Sequence, residues 1–121
     1  MVFGFEKMEV YNQSLAALDV SVAIAEDIPR GHRHFSDQLK RAASSVSLNI
    51  AKGVGEFKPK EKARFYRMAL RSASESCSIV QILYRLRLID TPRYHEAYKY
   101  FSISAKMLTK LIASMEKRVS H

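Results

Sequence analysis

Two consecutive segments predict the architecture of this chain: QLKRAASSVSLNIAKG at residues 38–53 and PKEKARFYRMALRSASE at residues 59–75. Gly53, Gly55 and Pro59 interrupt the chain where these segments meet. Because glycine and proline break helices, we expect two helices joined by a tight turn. Apolar residues three or four positions apart line the first of them, namely Leu39, Ala42, Val46, Ile50 and Val54. This spacing is typical of the buried face of an amphipathic helix.

A polar stripe lies beside this apolar face. Its members recur at the same spacing, and they are Gln38, Arg41, Ser45, Asn49 and Lys52. If the hairpin folds at residues 56–57, Arg41 comes opposite Ser72 and Gln38 comes opposite Glu75. Because a guanidinium can grip a carboxylate at two points, we predict a partly buried ion pair between Arg41 and Glu75. The predicted structural polar network is Gln38, Arg41, Ser45, Asn49, Ser72 and Glu75, and the alternative is a solvated polar face.

Turn residues divide the rest of the chain into two further segments. Pro29 and Gly31 end a first segment at about residues 6–28, whose apolar stripe is Met8, Tyr11, Leu15, Leu18, Val22 and Ala25. Thr91 and Pro92 are expected to cap and begin a last segment at about residues 92–118. Because short connections make neighbouring helices antiparallel, the sequence predicts an all-α, up-down-up-down four-helix bundle. We expect residues 1–121 to form this single domain.

The third segment, at about residues 59–89, carries two apolar faces. One consists of Tyr66, Leu70, Ala73, Cys77, Val80 and Tyr84, and the other of Phe65, Ala69, Ile79, Leu83 and Leu86. A helix that is apolar on two faces either packs against a second partner or contributes a wide core face. Both explanations stay open: the first implies self-association through this helix, and the second needs no partner.

The chain carries a net charge of +8, and this charge is unevenly distributed. Residues 1–29 contain one lysine and five acidic residues, whereas residues 30–71 contain eleven Lys and Arg and three acidic residues. Such an asymmetry favours a polyanionic partner, RNA or DNA in the first place.

The basic residues of the hairpin form a candidate nucleic-acid-binding surface. Lys60, Arg64, Arg67 and Arg71 recur at three- and four-residue spacings, which places them on one face of the third helix. Contacts to phosphate need only charge and reach, so this stripe suits binding without sequence specificity. With the residues of the turn, the predicted site is Lys52, Lys58, Lys60, Lys62, Arg64, Arg67 and Arg71. The alternative is an ordinary solvated basic face.

No pattern in the sequence indicates catalysis, a cofactor or a metal site. The four glycines are too few and too badly spaced for a phosphate-binding loop or a dinucleotide fingerprint. Cys77 has no histidine nearby in the sequence, and His32 and His34 have no neighbouring cysteine or acidic cluster. We therefore expect a non-enzymatic protein without a cofactor. A single cysteine fits the reducing cytoplasm, and no apolar run approaches the ~20 residues of a membrane span, so we expect no membrane partner.

The same hairpin carries a family resemblance. It contains QLxRAAxSxxxNIAxG at residues 38–53, followed by Phe65, Ala69, Ser72 and Glu75. This pattern resembles the bacterial four-helix-bundle proteins encoded in intervening sequences of 23S ribosomal RNA genes, and the likeness covers nearly the whole chain. The chain departs from the family at Lys52, where the motif usually has glutamate, so the end of the second helix is more basic here.

The resemblance implies a left-handed bundle that assembles into a ring, a homopentamer. It also implies kinship with the accessory variability determinant proteins of diversity-generating retroelements, which bind nucleic acid and a reverse transcriptase. We therefore expect an oligomeric nucleic-acid-binding accessory protein that uses the basic surface of the second and third helices. Its expected partners are further copies of itself, RNA or DNA, and a reverse transcriptase or another acidic protein. The alternative is a protein-interaction or scaffold bundle with no nucleic-acid ligand.

Overall fold

Four α-helices joined by short connections make up the fold. The computed structural model describes residues 3–119. The helices are α1 (Glu9–Glu26), α2 (Arg33–Gly55), α3 (Pro59–Arg85) and α4 (Thr91–Val119), and short 3-10 turns occur at Gly4–Lys7 and Arg30–His32. No strand occurs within the described residues, and the predicted all-α class is confirmed.

The helices form a closed ring of contacts. α2 packs against α1 and α3, α4 packs against α3 and α1, and between helices on a diagonal no Cα atoms of the described residues come within 8 Å of each other. Ser14 Oγ on α1 lies 2.8 Å from Ser47 Oγ on α2. Further along α1, the carbonyl of Ala25 accepts a hydrogen bond of 3.0 Å from Ser36 Oγ near the start of α2. These two helices therefore run antiparallel. The predicted four-helix bundle is confirmed, and its left-handedness stays a prediction.

The buried face of α1 differs from the predicted stripe. It consists of Val10, Ser14, Ala17, Ser21, Ile24 and Ala25. Of the predicted stripe only Ala25 is buried, while Leu15, Leu18 and Val22 are half-buried. Small side chains on the buried face let α2 and α4 approach α1 closely, so the larger apolar residues cover the edges of the contact instead.

Both apolar faces of α3 contribute to the core. The buried residues among them are Tyr66, Ala69, Ala73, Ile79, Val80 and Leu83. Of the two explanations for this helix, the wide core face accounts for these residues. Near the end of α3, however, Ile82, Tyr84 and Leu86 stay 41%, 37% and 48% exposed, so an apolar patch remains there.

Polar contacts hold the end of the bundle where α1 finishes and α4 begins. Arg93 Nη1 on α4 lies 2.6 Å from Asp27 Oδ2, which directly follows α1. The backbone N–H of Arg93 donates a hydrogen bond of 2.9 Å to the carboxylate of Asp90. Asp90 is therefore the cap of α4, in place of the expected Thr91, whose hydroxyl instead lies 3.0 Å from that of Tyr84.

Serines occupy much of the interior. The buried polar residues of the described chain are Ser14, Ser21, Ser36, Ser47, Asn49, Ser76 and Ser104. Several hydroxyls are satisfied one turn back on their own helix: Ser21 Oγ donates to the carbonyl of Ala17 at 2.7 Å, and Ser76 Oγ donates to that of Ser72 at 2.8 Å. Such bonds let these two serines fill core positions with their hydroxyls paired, whereas Ser104 Oγ is buried with no hydrogen-bond partner among the described residues.

Candidate nucleic-acid interface

The connection between α2 and α3 is held by a close helix contact. Gly53, in the last turn of α2, lies against the buried ring of Tyr66 on α3. A Cβ atom at residue 53 would be only 2.6 Å from Tyr66 Cε1, so a larger residue would push the helices apart. Burial also raises the pKa of the Tyr66 phenol, because the charged form would lose its hydration.

Lys62 on α3 stabilises the same connection by binding to the end of α2. Its Nζ donates hydrogen bonds to the backbone carbonyls of Gly53 at 3.3 Å and Val54 at 2.9 Å. Carbonyls in the last turn of a helix lack intrahelical partners, and the helix dipole favours a cation there. Because the Lys62 ammonium is occupied by these two carbonyls, it is not free to contact phosphate, unlike the other lysines of the predicted nucleic-acid-binding set.

Half of the predicted polar network joins α2 to α3. Ser72 Oγ donates to Ser45 Oγ at 3.0 Å. Asn49 Nδ2 donates to the same hydroxyl at 3.0 Å and to the Ser45 carbonyl at 2.9 Å. Asn49 is buried and the two serines are half-buried; of these three bonds, the one from Ser72 to Ser45 crosses between the helices, and it places Ser45 opposite Ser72.

The predicted ion pair between Arg41 and Glu75 is wrong. Both side chains are exposed, and neither forms an ion pair with any described residue. The sequence placed Arg41 opposite Ser72, whereas the structure places Ser45 there, one helical turn further along α2. A surface ion pair contributes only about 0–1 kcal/mol, which is too little to hold two long side chains together. Gln38 is also exposed, so these three residues leave the structural network.

The predicted basic stripe of α3 lies on the protein surface. Lys60, Arg64, Arg67 and Arg71 are all exposed. Two of them face a carboxylate: Arg64 Nε lies 3.0 Å from Glu61 Oε2, and Arg67 Nη1 lies 3.3 Å from Glu116 Oε1. The stripe therefore lies on the surface as predicted, but two of its four positive charges are paired with carboxylates.

Four cations of the predicted nucleic-acid-binding set remain unengaged by the described residues, and three of them lie at the end of the hairpin. Within the described chain, no side-chain hydrogen bond or ion pair involves Lys52, Lys58, Lys60 or Arg71, and all four are exposed. Lys52 lies in the last turn of α2, Lys58 in the connection and Lys60 in the first turn of α3. We call residues 52–60 the tip, and Lys52, Lys58 and Lys60 the tip lysines.

The sequence analysis missed one conspicuous residue of the tip. Phe57 is 94% exposed, more than any other large apolar side chain of the described residues. The only signal in the sequence is its position: Phe57 follows the last core residue of α2 and precedes Pro59, so it belongs to neither helical stripe.

Other kinds of chemistry find little support in the described part of the chain. No group of three or more His, Cys, Asp or Glu side chains there is arranged to hold a metal ion. Cys77 is half-buried, and burial raises the pKa of its thiol, which disfavours the nucleophilic thiolate. None of the helices between residues 3 and 119 combines the length and apolar character that crossing a membrane requires.

Comparison with known proteins identifies the family of this chain. A family model described as 23S rRNA-intervening sequence protein matches residues 6–110. The chain belongs to this family. The match runs from the turn before α1 into α4, so the predicted resemblance is confirmed. The comparison with curated proteins gives no match.

A solved structure supports the fold of this 23S rRNA-intervening sequence protein. It is described as a protein with unknown function from the S23 ribosomal protein family of Bacteroides thetaiotaomicron VPI-5482, solved at 1.70 Å resolution. The two chains superpose with a TM-score of 0.81 over 85% of this chain and 97% of the other, at 20% sequence identity. At that identity the likeness concerns the fold alone.

Proposed function

We propose that this 23S rRNA-intervening sequence protein is a non-enzymatic cytoplasmic accessory protein that binds RNA or DNA through the tip of the α2–α3 hairpin. The observation that carries the proposal is the exposure of the three tip lysines, none of which is engaged by another described residue. Only Glu56 opposes them between residues 52 and 60. A phosphate backbone can therefore approach the tip without first displacing a protein carboxylate from these lysines.

The surface extends from the tip along α3. Arg71 is exposed and unengaged by the described residues, while Arg64 and Arg67 meet their carboxylates at the surface. Exposed ion pairs contribute about 0–1 kcal/mol, so a phosphate can replace either carboxylate at small cost. None of these cations is fixed in a geometry that selects a base, which suits binding to the backbone without sequence specificity.

The test compares two variants that change the net charge equally. Lys52→Glu/Lys58→Glu/Lys60→Glu reverses the tip, and Arg30→Glu/Arg33→Glu/Lys106→Glu reverses three exposed cations outside both the tip and the groove described below. Fluorescence anisotropy with labelled RNA and DNA measures affinity. With three phosphate contacts, we expect wild-type affinity to fall about 20- to 40-fold between 50 and 200 mM salt. The tip variant should lose binding, and the matched variant should keep most of it.

Two results would contradict the proposal. Equal losses in both variants would mean that net charge, and not the tip, attracts the nucleic acid. Binding that does not weaken with salt would exclude a phosphate mechanism.

We further propose that the chain self-associates, for which the family resemblance implies a pentamer. The supporting observation is a groove of about 1020 Å³ at the end of α3 and the start of α4, whose lining combines apolar side chains such as Ile82, Leu86 and Tyr94 with charged ones such as Arg85 and Asp90. A ring would repeat the tip and raise avidity without any new contact. The same groove favours the second candidate function, a scaffold that docks a partner such as a reverse transcriptase or another acidic protein.

A further inference from the structure

Phe57 is an aromatic side chain that the fold leaves unused. Burying a phenylalanine stabilises a protein by roughly 1.5–3 kcal/mol relative to leaving it exposed, yet this ring stays 94% exposed. No aromatic or cation–π contact involves it within the described residues. The packing of the bundle therefore does not explain why a phenylalanine occupies this position.

The backbone on both sides of Phe57 is fixed, so the ring is held away from the core. The N–H of Glu56 donates to the Gly53 carbonyl at 3.2 Å, and the N–H of Lys62 donates to the Lys58 carbonyl at 3.0 Å. Pro59 starts α3 with a restricted φ angle, and the Lys62 side chain closes the end of α2. A loop held at both ends presents its middle side chain at a low entropic cost of ordering.

The tip lysines flank Phe57 along the chain. Lys58 is the next residue, and Lys52 and Lys60 lie in the helix turns that lead into and out of the connection. An exposed aromatic ring among exposed cations is the combination that binds single-stranded nucleic acid: the cations hold phosphates and the ring stacks on a base. In a duplex, every base is already stacked on its neighbours and offers no free face.

We infer that Phe57 stacks on an unpaired base, so that the ligand of the tip is single-stranded RNA or DNA, or an unpaired loop within a folded RNA. This inference rests on the proposed function, since the tip lysines supply the phosphate contacts. A nucleobase is favoured over a protein surface because a single ring between lysines is far smaller than the apolar core of a protein interface. A membrane surface is a different ligand, and the experiment below distinguishes binding to a membrane from binding to nucleic acid.

The experiment measures the affinity of the full chain for a labelled single strand and for the corresponding duplex. Wild type should prefer the single strand. Stacking contributes about 1–3 kcal/mol per base, so Phe57→Ala should weaken single-strand binding between about 5- and 150-fold and leave duplex binding unchanged. Phe57→Leu keeps an apolar side chain without a π face, and it should behave like Phe57→Ala. Leu48→Ala, at another strongly exposed apolar residue, is the matched control and should bind as wild type does.

A direct probe of stacking is available because the chain contains no tryptophan. Phe57→Trp places one indole at the tip, and its fluorescence should be quenched by a single strand but not by the duplex. Vesicles of phosphatidylcholine and phosphatidylserine are the second ligand in the same titration, and they should give no blue shift.

Several results would overturn the inference and leave the proposed function standing. They are equal lysine-dependent affinity for single strand and duplex, wild-type affinity of Phe57→Ala, and wild-type affinity of Phe57→Leu, which would indicate an apolar contact without stacking. A blue shift on vesicles without quenching by nucleic acid would assign the ring to a membrane surface. If wild type binds neither strand nor duplex, both the proposed function and the inference fall.

Discussion

Gly53 is the residue on which the geometry of the hairpin most depends. Its missing side chain is what lets the Tyr66 ring lie directly on the backbone of α2. The same approach brings the carbonyls of residues 53 and 54 within reach of Lys62. One glycine thus sets both the spacing of two helices and the position of the loop between them.

Gly53→Ala should destabilise the protein by about 1–3 kcal/mol, the usual cost of overpacking a tight interface. Tyr66 is 3% exposed and cannot swing out of the way. Gly55→Ala is the matched control, because a Cβ atom at residue 55 would meet nothing within 4 Å and the φ angle there is not positive. It should be neutral or stabilising by up to about 1 kcal/mol, since alanine favours a helix. Urea unfolding of both variants measures the difference, and equal stability would contradict the close contact.

The helices differ in how far the sequence predicts their packing. The core face of α2 was predictable because leucine, valine and isoleucine repeat at helical spacing, and Leu39, Val46 and Ile50 are buried. The buried face of α1 was not, because four of its six residues are serine or alanine, and a pattern of these small residues does not distinguish a buried face from an exposed one. Periodicity finds large apolar side chains, but it does not find small ones that are buried through close helix approach.

The candidate site was predictable to a similar degree. Charge and spacing were enough to place the α3 stripe on the surface. They carry no information on the axial register between two helices. The predicted register of α2 against α3 was wrong by one helical turn, and this error produced the wrong ion pair. For the same reason, the reach of Lys62 to the α2 carbonyls and the isolation of Phe57 became visible only in three dimensions.

Double-mutant cycles between α2 and α3 test this correction. For Arg41→Ala and Glu75→Ala, we expect a coupling energy below about 0.5 kcal/mol, because both side chains stay hydrated. For Ser45→Ala and Ser72→Ala, which remove a half-buried hydrogen bond, we expect about 0.5–1.5 kcal/mol. Urea unfolding of each single and double variant gives these energies. A larger coupling for the charged pair than for the serines would restore the original prediction.

At the scale of the whole molecule, the tip and the groove lie at opposite ends of α3. The tip extends into the first turn of this helix, and Ile82, Tyr84 and Leu86 lie at its last turn and just beyond. A bundle with its tip lysines at one end and this groove at the other can self-associate through the groove without covering the tip. This arrangement fits the proposal that the protein is an oligomer with several tips available to nucleic acid.

Sedimentation equilibrium tests the assembly. Wild type should be an oligomer, and Ile82→Glu/Leu86→Glu should be a folded monomer, because two carboxylates in the groove would lose hydration on association. Leu48→Glu/Met68→Glu places the same added charge on two exposed apolar residues outside the groove and is the matched control. A monomeric wild type would contradict the proposal, and an oligomeric groove variant would move the interface elsewhere.

The serine-rich interior also has a thermodynamic consequence. Unfolding an ordinary helical bundle hydrates leucines, and that hydration raises the heat capacity, whereas newly hydrated polar groups lower it. Since Ser14, Ser21, Ser76 and Ser104 occupy core positions here, the heat capacity change per residue is smaller than in a leucine-filled bundle. The curve of free energy against temperature is correspondingly flatter. At equal maximum stability, this protein should therefore stay folded over a broader range of temperature than a leucine-filled bundle, on the cold side as well as the warm.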